Sequence, residues 1–445
     1  MSEESTRTLR IAFQTLGCRL NHYDTEVMKA RLPGGLRCET VPWDQDADVY
    51  VLNSCTVTLK ADQKCRQLAR AVKRRRPGAK VVVTGCYAQT QQEALAAIPE
   101  LDGVFGLNER EDIADWLPRL LAAEAPLVEV GDFAKDAPFR SHDIAEFDGR
   151  TRAFVKVQDG CDLRCSYCLI WKARGPGRSR PVAEVCRQIG ILRGSGFGEI
   201  VLAGVHLGGY GRDLGRGQAL TALLETVLDR FPDLRFRLSS IHPNEVREPL
   251  LELFTKHANL RPYLHISLQS GSDTVLKRMR RPYDVARAGH AIEAAAALSP
   301  HFGIGADVIV GFPGESGAEF AETRSFVASS PLSYLHVFRY SPRPGTPAAL
   351  LRAVHTETVT ERSRIMRDLS RRKRRDFEAR LVGHWHEAVV ETDRPAPGRL
   401  QATTGNYATV SVPDTWATGD LVRLKPAGFR DDVLYADEVA PADGS

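Results

Sequence analysis

Short apolar runs recur near the start of the chain, and each leads into a cysteine. Arg10-Ile11-Ala12-Phe13 leads to Gly17-Cys18, Asp48-Val49-Tyr50-Val51-Leu52 to Asn53-Ser54-Cys55, and Lys80-Val81-Val82-Val83 to Thr84-Gly85-Cys86. Such runs have the length of strands buried on both faces, and helical patterns separate them. The alternation predicts an α/β layer domain with a parallel sheet. It fades after Trp116-Leu117, and 122–150 reads as an irregular linker.

A second alternating series comes next. Strands are predicted at 154–157, 200–203, 235–238, 264–268, 305–310 and 334–338, with amphipathic helices such as 219–231, 244–257 and 285–298 between them. Six βα units are fewer than the eight of a closed barrel, so an open partial (βα)6 barrel is expected. A doubly wound sheet is the alternative that strand patterns leave open. A long basic helix is expected over 358–380. Then Ala388-Val389-Val390, Tyr407-Ala408-Thr409-Val410 and Leu421-Val422-Arg423-Leu424 alternate with Gly, Pro and Asp turns, which predicts a small all-β, OB-like barrel. The expected segments are 8–121, the linker 122–150, 151–376 and 377–445.

Composition narrows the class. A chain of 445 residues exceeds one ordinary domain of ~150. With 43% hydrophobic and 26% charged residues it is not mostly disordered. No run approaches the ~18 apolar residues of a membrane span. The polar start, Met1 to Arg10, has no apolar stretch of a signal peptide, so a cytoplasmic protein is expected. Nine cysteines in a reducing compartment are core thiols, metal ligands or reactive groups rather than disulfides.

Their arrangement decides among these. Cys161, Cys165 and Cys168 fall in one short loop just after the first strand of the second series. Three thiolates so placed suit a cubane iron–sulfur cluster with one iron left without a protein ligand. Structural zinc would want a fourth ligand, usually from a second CxxC pair, and the sequence has none. Cys18, Cys55 and Cys86 lie far apart, yet each sits past a predicted parallel strand, where strand ends share one sheet edge. A second three-thiolate site is therefore expected over the alternative of three core thiols. Cys38, Cys65 and Cys186 fit no ligand pattern. Small or polar residues also stand past the later strands: Gly204, Ser239-Ser240, Gln269-Ser270-Gly271 and Gly311-Phe312-Pro313-Gly314-Glu315. Barrel active sites collect at those ends.

The CxxxCxxC loop opening a βα series resembles the radical S-adenosylmethionine (SAM) superfamily. The resemblance implies a 4Fe–4S cluster on Cys161, Cys165 and Cys168, SAM as cofactor, Tyr167 beside its adenine, and cofactor contacts at Gly204, Ser239, Gln269 and Gly311. Where many members carry Gly-Gly-Glu, this chain has Ala203-Gly204-Val205-His206. With Thr15-Leu16-Gly17-Cys18-Arg19-Leu20-Asn21, Asn53-Ser54-Cys55-Thr56-Val57-Thr58, Thr84-Gly85-Cys86-Tyr87-Ala88-Gln89, Ser267-Leu268-Gln269-Ser270-Gly271-Ser272 and Tyr340-Ser341-Pro342-Arg343-Pro344-Gly345-Thr346-Pro347, almost the whole chain resembles the methylthiotransferases. The terminal barrel resembles a TRAM domain, an RNA-binding module. The family implies an auxiliary 4Fe–4S cluster on Cys18, Cys55 and Cys86. It also implies two uses of SAM: one methylates a sulfur at that cluster, and the other yields the 5′-deoxyadenosyl radical that activates a C–H bond. A low-potential electron donor is implied as a partner, and no general base is assigned.

The segments around Cys18 and Cys55 look like the branch acting on C2 of N6-threonylcarbamoyladenosine at position 37 of tRNA. The alternatives are an isopentenyl-adenosine tRNA, a ribosomal-protein aspartate, or a noncatalytic zinc-containing RNA-binding protein. The net charge is only +4. Its distribution includes two basic runs, one of Arg70, Lys73, Arg74, Arg75 and Arg76, the other of Arg362, Arg364, Arg367, Arg371, Arg372, Lys373, Arg374 and Arg375. Clustered arginines can pair with phosphates. From Phe377 onward six Lys/Arg face eleven Asp/Glu, so RNA contact there would need stacking by Tyr407 or Trp416.

Overall fold

β-branched and aromatic residues fill the strands that open the chain, and their alternation builds two cores. The computed structural model describes residues 7–134, 137–215 and 217–442; residues 1–6 of the polar start and Asp443 of the terminal charge count lie outside the described residues. The first strands are β1 (Leu9–Thr15), β2 (Cys38–Val41), β3 (Val49–Ser54), β4 (Lys80–Gly85), β5 (Gly103–Phe105) and β6 (Leu127–Glu129). They form one parallel sheet in the order β2-β1-β3-β4-β5-β6. Every residue of β3 is buried. Val49 and Val51 pack with Ile11, Val82, Phe105 and Trp116 on one face, while Tyr50 and Leu52 pack with Ala12, Val81 and Val83 on the other. A period of two therefore serves both faces at once, as a helix-covered parallel sheet requires. Within 122–150, read from sequence as irregular, β6 adds an edge strand through Leu127, Val128 and Glu129. Three residues are too short to give a periodic signal.

This sheet belongs to a compact unit made of residues up to Ile144 together with Asp159–Arg178 and Ser341–Thr346. The cysteine loop at 161–168 is therefore part of it.

The other unit comprises Ala145–Gln158, Ser179–Tyr340 and the residues from Pro347 onward. Its parallel strands are β7 (Ala153–Asp159), β9 (Glu199–Gly204), β10 (Arg235–Leu238), β11 (Tyr263–Gln269), β12 (Gly303–Val310) and β13 (Tyr334–Arg339), with the two-residue β8 (Arg178–Ser179) beside β7. The sheet runs β10-β9-β7-β8 on one side and β11-β12-β13 on the other. Single parallel bridges, Phe236 to Leu260 and Ile241 to Ile266, connect the halves. The six units form the open partial barrel expected from sequence. Helix Thr356–Leu381 lies along the last strand, where Ser370 Oγ accepts from Leu335 N–H and donates to its carbonyl. A helix thus covers a strand edge that would otherwise be left unpaired.

The terminal strands β14 (His386–Val390), β15 (Arg399–Thr404), β16 (Thr409–Pro413), β17 (Leu421–Lys425), β18 (Gly428–Arg430), β19 (Val433–Tyr435) and β20 (Glu438–Pro441) form a curled mixed sheet, ordered β18-β19-β16-β15-β14-β17-β20. Phe377 and Leu381 of the long helix enter its core with Ala388, Val390, Val410 and Leu424. This is the half-barrel form of a TRAM-type domain. Tyr407 stacks on Tyr263 of the partial barrel at 4.5 Å, and Trp416 is packed against the β-core, so neither ring stands free.

A buried charge joins the terminal sheet to the barrel. Glu199 is 1% exposed and pairs with Arg237 at 3.0 Å, Arg261 at 3.4 Å and Arg152 at 3.8 Å. Arg237 also donates to the carbonyls of Gly405 and Thr404. Removing one partner of a buried ion pair leaves an uncompensated charge, so Glu199→Ala is expected to cost about 3–5 kcal/mol. Urea unfolding measures this, and an unchanged midpoint would contradict it.

Candidate cluster site

Each thiol of the first trio sits on the turn just past a strand. Cys18 is the N-cap residue of helix Arg19–Ala30, in extended conformation. Cys55 comes directly after β3, and Cys86 opens the short helix Cys86–Thr90 after β4. Gly17 takes φ +116°, and a Cβ there would sit 2.6 Å from Cys55 Cβ and 3.0 Å from its Sγ. Only glycine lets the turn before Cys18 press against Cys55. The three thiols lie close enough to act on one another: burial first, then Cys86, and more weakly Cys18, push the Cys55 thiol up to about 12. Burial also raises Cys86, with Arg174 opposing it. Val57 N–H donates to Cys55 Sγ at 3.4 Å.

The second trio is Cys161, Cys165 and Cys168. Cys161 N–H donates to Gly175 O at 3.0 Å and Cys168 N–H to Cys165 O at 3.1 Å, which ties the loop. Ile170 N–H donates to Cys168 Sγ at 3.4 Å. Cys165 is buried, while Cys161 and Cys168 are half-buried. Tyr167 is half-buried between Ser166 and Cys168.

Arg174 lies just past this loop and is 1% exposed. It donates to both oxygens of Asp159 at 2.9 and 3.1 Å, to Asp24 at 2.9 Å and to Asn21 Oδ1 at 2.8 Å. Its charge also acts on the Cys86 thiol, against the burial that raises it. Burial opposes its charge, but Asp159, Cys86 and Asp24 outweigh burial and hold it firmly protonated. Asp24 is shared with Arg110 at 2.9 Å. One guanidinium therefore bonds both to the strand end before the second trio and to the helix that begins after Cys18. Arg343, in the segment 341–346, pairs with Asp62 at 2.7 Å and donates to Thr56 beside Cys55 at 2.6 Å. The donor chemistry suits iron–sulfur clusters: thiols at the strand ends and in the loop, N–H groups aimed at Cys55 and Cys168, and buried arginines nearby. Burial keeps Cys55 and Cys86 protonated until metal replaces their protons.

The other sequence-derived residues line the carboxyl ends of the barrel strands. Gly204 ends β9, and its N–H donates to Ser239 Oγ past β10 at 3.3 Å. Gln269 ends β11 with φ +68°, at a register shift in its pairing with β12. Non-glycine residues rarely adopt that conformation, and such strain collects at functional sites. Gly311 stands just past β12, and its N–H donates to Glu315 at 2.8 Å, a carboxylate held in turn by buried Arg362 at 2.6 Å. His206, just past β9, meets Glu245 at 2.5 Å.

The remaining cysteines are packed into the fold. Cys65 is 0% exposed in the first core, Cys186 is buried on helix Val182–Gly194, and Cys38 begins β2. Neither Arg174 nor Arg343 was found from sequence as a site residue, although Arg343 stands in a resembling motif. The basic runs are also more engaged than they read. Arg70, Lys73 and Arg76 pair with Glu100, Asp102 and Asp46. On the long helix Arg364, Arg371 and Arg374 pair with Glu361, Asp368 and Glu378. Arg367 and Arg372 are exposed, with no ion-pair partner among the described residues.

Comparison with known proteins agrees with this architecture. Residues 10–106 match the model of Uncharacterized protein family UPF0004, and residues 155–327 that of the Radical SAM superfamily. The chain is 37% identical to Threonylcarbamoyladenosine tRNA methylthiotransferase MtaB of Aquifex aeolicus (strain VF5), over 94% of this chain and 100% of that one. It is 38% identical to the protein of the same name from Bacillus subtilis (strain 168), over 93% of each. With Ribosomal protein uS12 methylthiotransferase RimO of Roseiflexus sp. (strain RS-1) it shares 32% identity over 96% of this chain and 97% of that one. The fold is like that of the radical S-adenosylmethionine methyltransferase TsrM from Kitasatospora setae, with a TM-score of 0.58, 15% identity and 77% of each chain covered. The chain belongs to the radical SAM methylthiotransferase family.

Proposed function

We propose that this chain places a methylthio group on C2 of N6-threonylcarbamoyladenosine at position 37 of tRNA. In this reading Cys161, Cys165 and Cys168 hold the SAM-cleaving cluster and Cys18, Cys55 and Cys86 the auxiliary one. Near full-length similarity to relatives named for that reaction carries the proposal. The family works with two 4Fe–4S clusters and SAM. When bound, these supply the electron transfer, the radical and the sulfur; a low-potential donor must provide the electrons.

The chain's own residues hold and orient. Gly17 permits close approach at the first trio, and Arg343 fixes Thr56 next to Cys55. Arg174 keeps a positive charge against Cys86, which favours the thiolate form when metal is present. Gly204, Ser239, Gln269 and Gly311, with Tyr167, are the proposed SAM contacts. Glycines at strand ends let a ligand approach backbone closely. No helix among the described residues is long and apolar enough to cross a membrane, and a cytoplasmic location accords with tRNA as substrate. The long helix supplies attraction to the RNA backbone, with Arg367 and Arg372 exposed and without an ion pair among the described residues.

Mass spectrometry of tRNA nucleosides tests the reaction. A strain lacking this protein should lose 2-methylthio-N6-threonylcarbamoyladenosine and retain the unthiolated nucleoside; loss of the isopentenyl counterpart instead would refute the assignment. Iron and sulfide analysis tests the ligands. Reconstituted protein should hold about eight irons per chain, and Cys55→Ala about four, as two cysteine-ligated cubanes require. Unchanged iron in Cys55→Ala, or zinc without sulfide, would contradict this. Neutralising Arg371, Arg372, Arg374 and Arg375 together should weaken tRNA binding and flatten its salt dependence. On a duplex the log–log slope falls by about 0.9 for each phosphate that is no longer neutralised. An unchanged slope would exclude these four arginines as the contact.

A further inference from the structure

The inner face of the partial barrel carries a polar cluster that the cysteines and strand-end contacts do not use. Along β11 to β13 the residues alternate. Leu264, Ile266, Ile304, Ala306 and Val308 form an apolar, buried face, the kind that crossover helices cover. The opposite face carries Tyr263, His265, Asp307, Tyr334, His336 and Phe338. His265 Nε2 lies 2.9 Å from Asp307 Oδ1, and His336 Nδ1 approaches the same oxygen at 3.3 Å. Behind them, Tyr263 Oη meets His265 Nδ1 at 2.9 Å and Tyr334 Oη at 2.5 Å. Gly305 makes room for these rings, since a Cβ there would lie 2.7 Å from His265 Nδ1 and 2.7 Å from Tyr334 Cζ. Burial would raise the Asp307 carboxyl, but His265 and then His336 outweigh it and hold it well below the usual carboxylate range.

The cluster is closed on one side and open on the other. His265 and Tyr334 are buried, whereas the His336 side chain is 52% exposed and Phe338 is 42% exposed. The two exposed rings stand 6.4 Å apart, nearly perpendicular at 82°. Contact of Nδ1 with Asp307 fixes the His336 ring and leaves Nε2 directed away from the carboxylate. A flat apolar ring beside a fixed imidazole edge complements a base that offers a face to stack and a polar substituent to bond.

We propose that His336, aimed by Asp307, reads the N6 substituent of the target adenosine while Phe338 supports the base. This rests on the tRNA reading above. A threonylcarbamoyl group offers N–H, carbonyl, hydroxyl and carboxylate groups to the imidazole edge; an isopentenyl group offers none. A site built to hydrogen-bond its substrate rejects an analogue lacking the partner far more strongly than an apolar pocket does. Asp307 and His265 are positioning residues, acting through His336.

Steady-state methylthiolation by reconstituted enzyme tests this on two forms of one tRNA, with threonylcarbamoyladenosine or unmodified adenosine at position 37. His336→Phe should raise KM for the modified tRNA roughly tenfold or more, the scale of one missing hydrogen bond, with kcat changed less. The preference over unmodified tRNA should shrink by the same factor. His336→Gln, which keeps a polar edge, should recover part of it, and Asp307→Asn should resemble His336→Phe. Iron content and the thermal midpoint report whether each variant is folded. A wild-type preference that survives His336→Phe overturns this inference alone. A wild-type enzyme indifferent to the substituent overturns the inference together with the substrate reading.

Discussion

A buried guanidinium ties together the elements next to the candidate cluster cysteines. Arg174 satisfies Asp159, Asp24 and Asn21 from a position with almost no solvent contact. Taking such a charge out of water is costly, and it is stable only where nearly every donor has an acceptor with good geometry. That demand works in reverse on the partners. Asp24 tolerates 0% exposure because Arg174 and Arg110 both bond it, and its helix begins at Cys18. The strand end before the cysteine loop and the helix behind Cys18 are therefore constrained by one planar group. A lysine could not replace it, since an ammonium lacks the rigid fork that bonds several acceptors at once.

This network was not legible in the sequence, for a definite reason. Arg174 is a single basic residue after a short loop, with no period or motif to mark it. Its acceptors lie 15, 150 and 153 positions away. The cysteines were legible because their signal is local: an apolar run predicts a buried strand, and parallel strands bring their ends to one edge. Sequence thus marked the strand ends that carry Cys18, Cys55 and Cys86 but not the buried arginines packed around them. The same limit applies to Arg343, which reaches Thr56 from 287 positions away.

Charge counting misled in the other direction. The basic helix reads as a phosphate-binding surface, yet several of its arginines face acids three or four residues along the same helix. Residues at that spacing are neighbours on a helix surface, so the pairing is written in the sequence once acids are counted with bases. Arg362 is different. Its partner Glu315 lies past β12, and only the fold reveals that it is structural. A count of arginines overstates an electrostatic surface by the number that already have partners.

The barrel strands show how one period carries two kinds of information. Their apolar positions predict the strands at 264–268 and 305–310 because burial demands them. The alternate positions look like interruptions in the sequence, but in the structure Tyr263, His265, Asp307 and His336 form a connected hydrogen-bonded face. In an ordinary βα barrel the interior is filled by branched aliphatic side chains. Polar and aromatic residues there forgo that packing, and full mutual bonding offsets the cost of burying them only where the chain closes the network. The network stays open at His336 and Phe338, on the edge strand. Rigidity behind an exposed recognition edge is what selective hydrogen bonding requires, because a donor free to turn toward water would bond any substituent, or none.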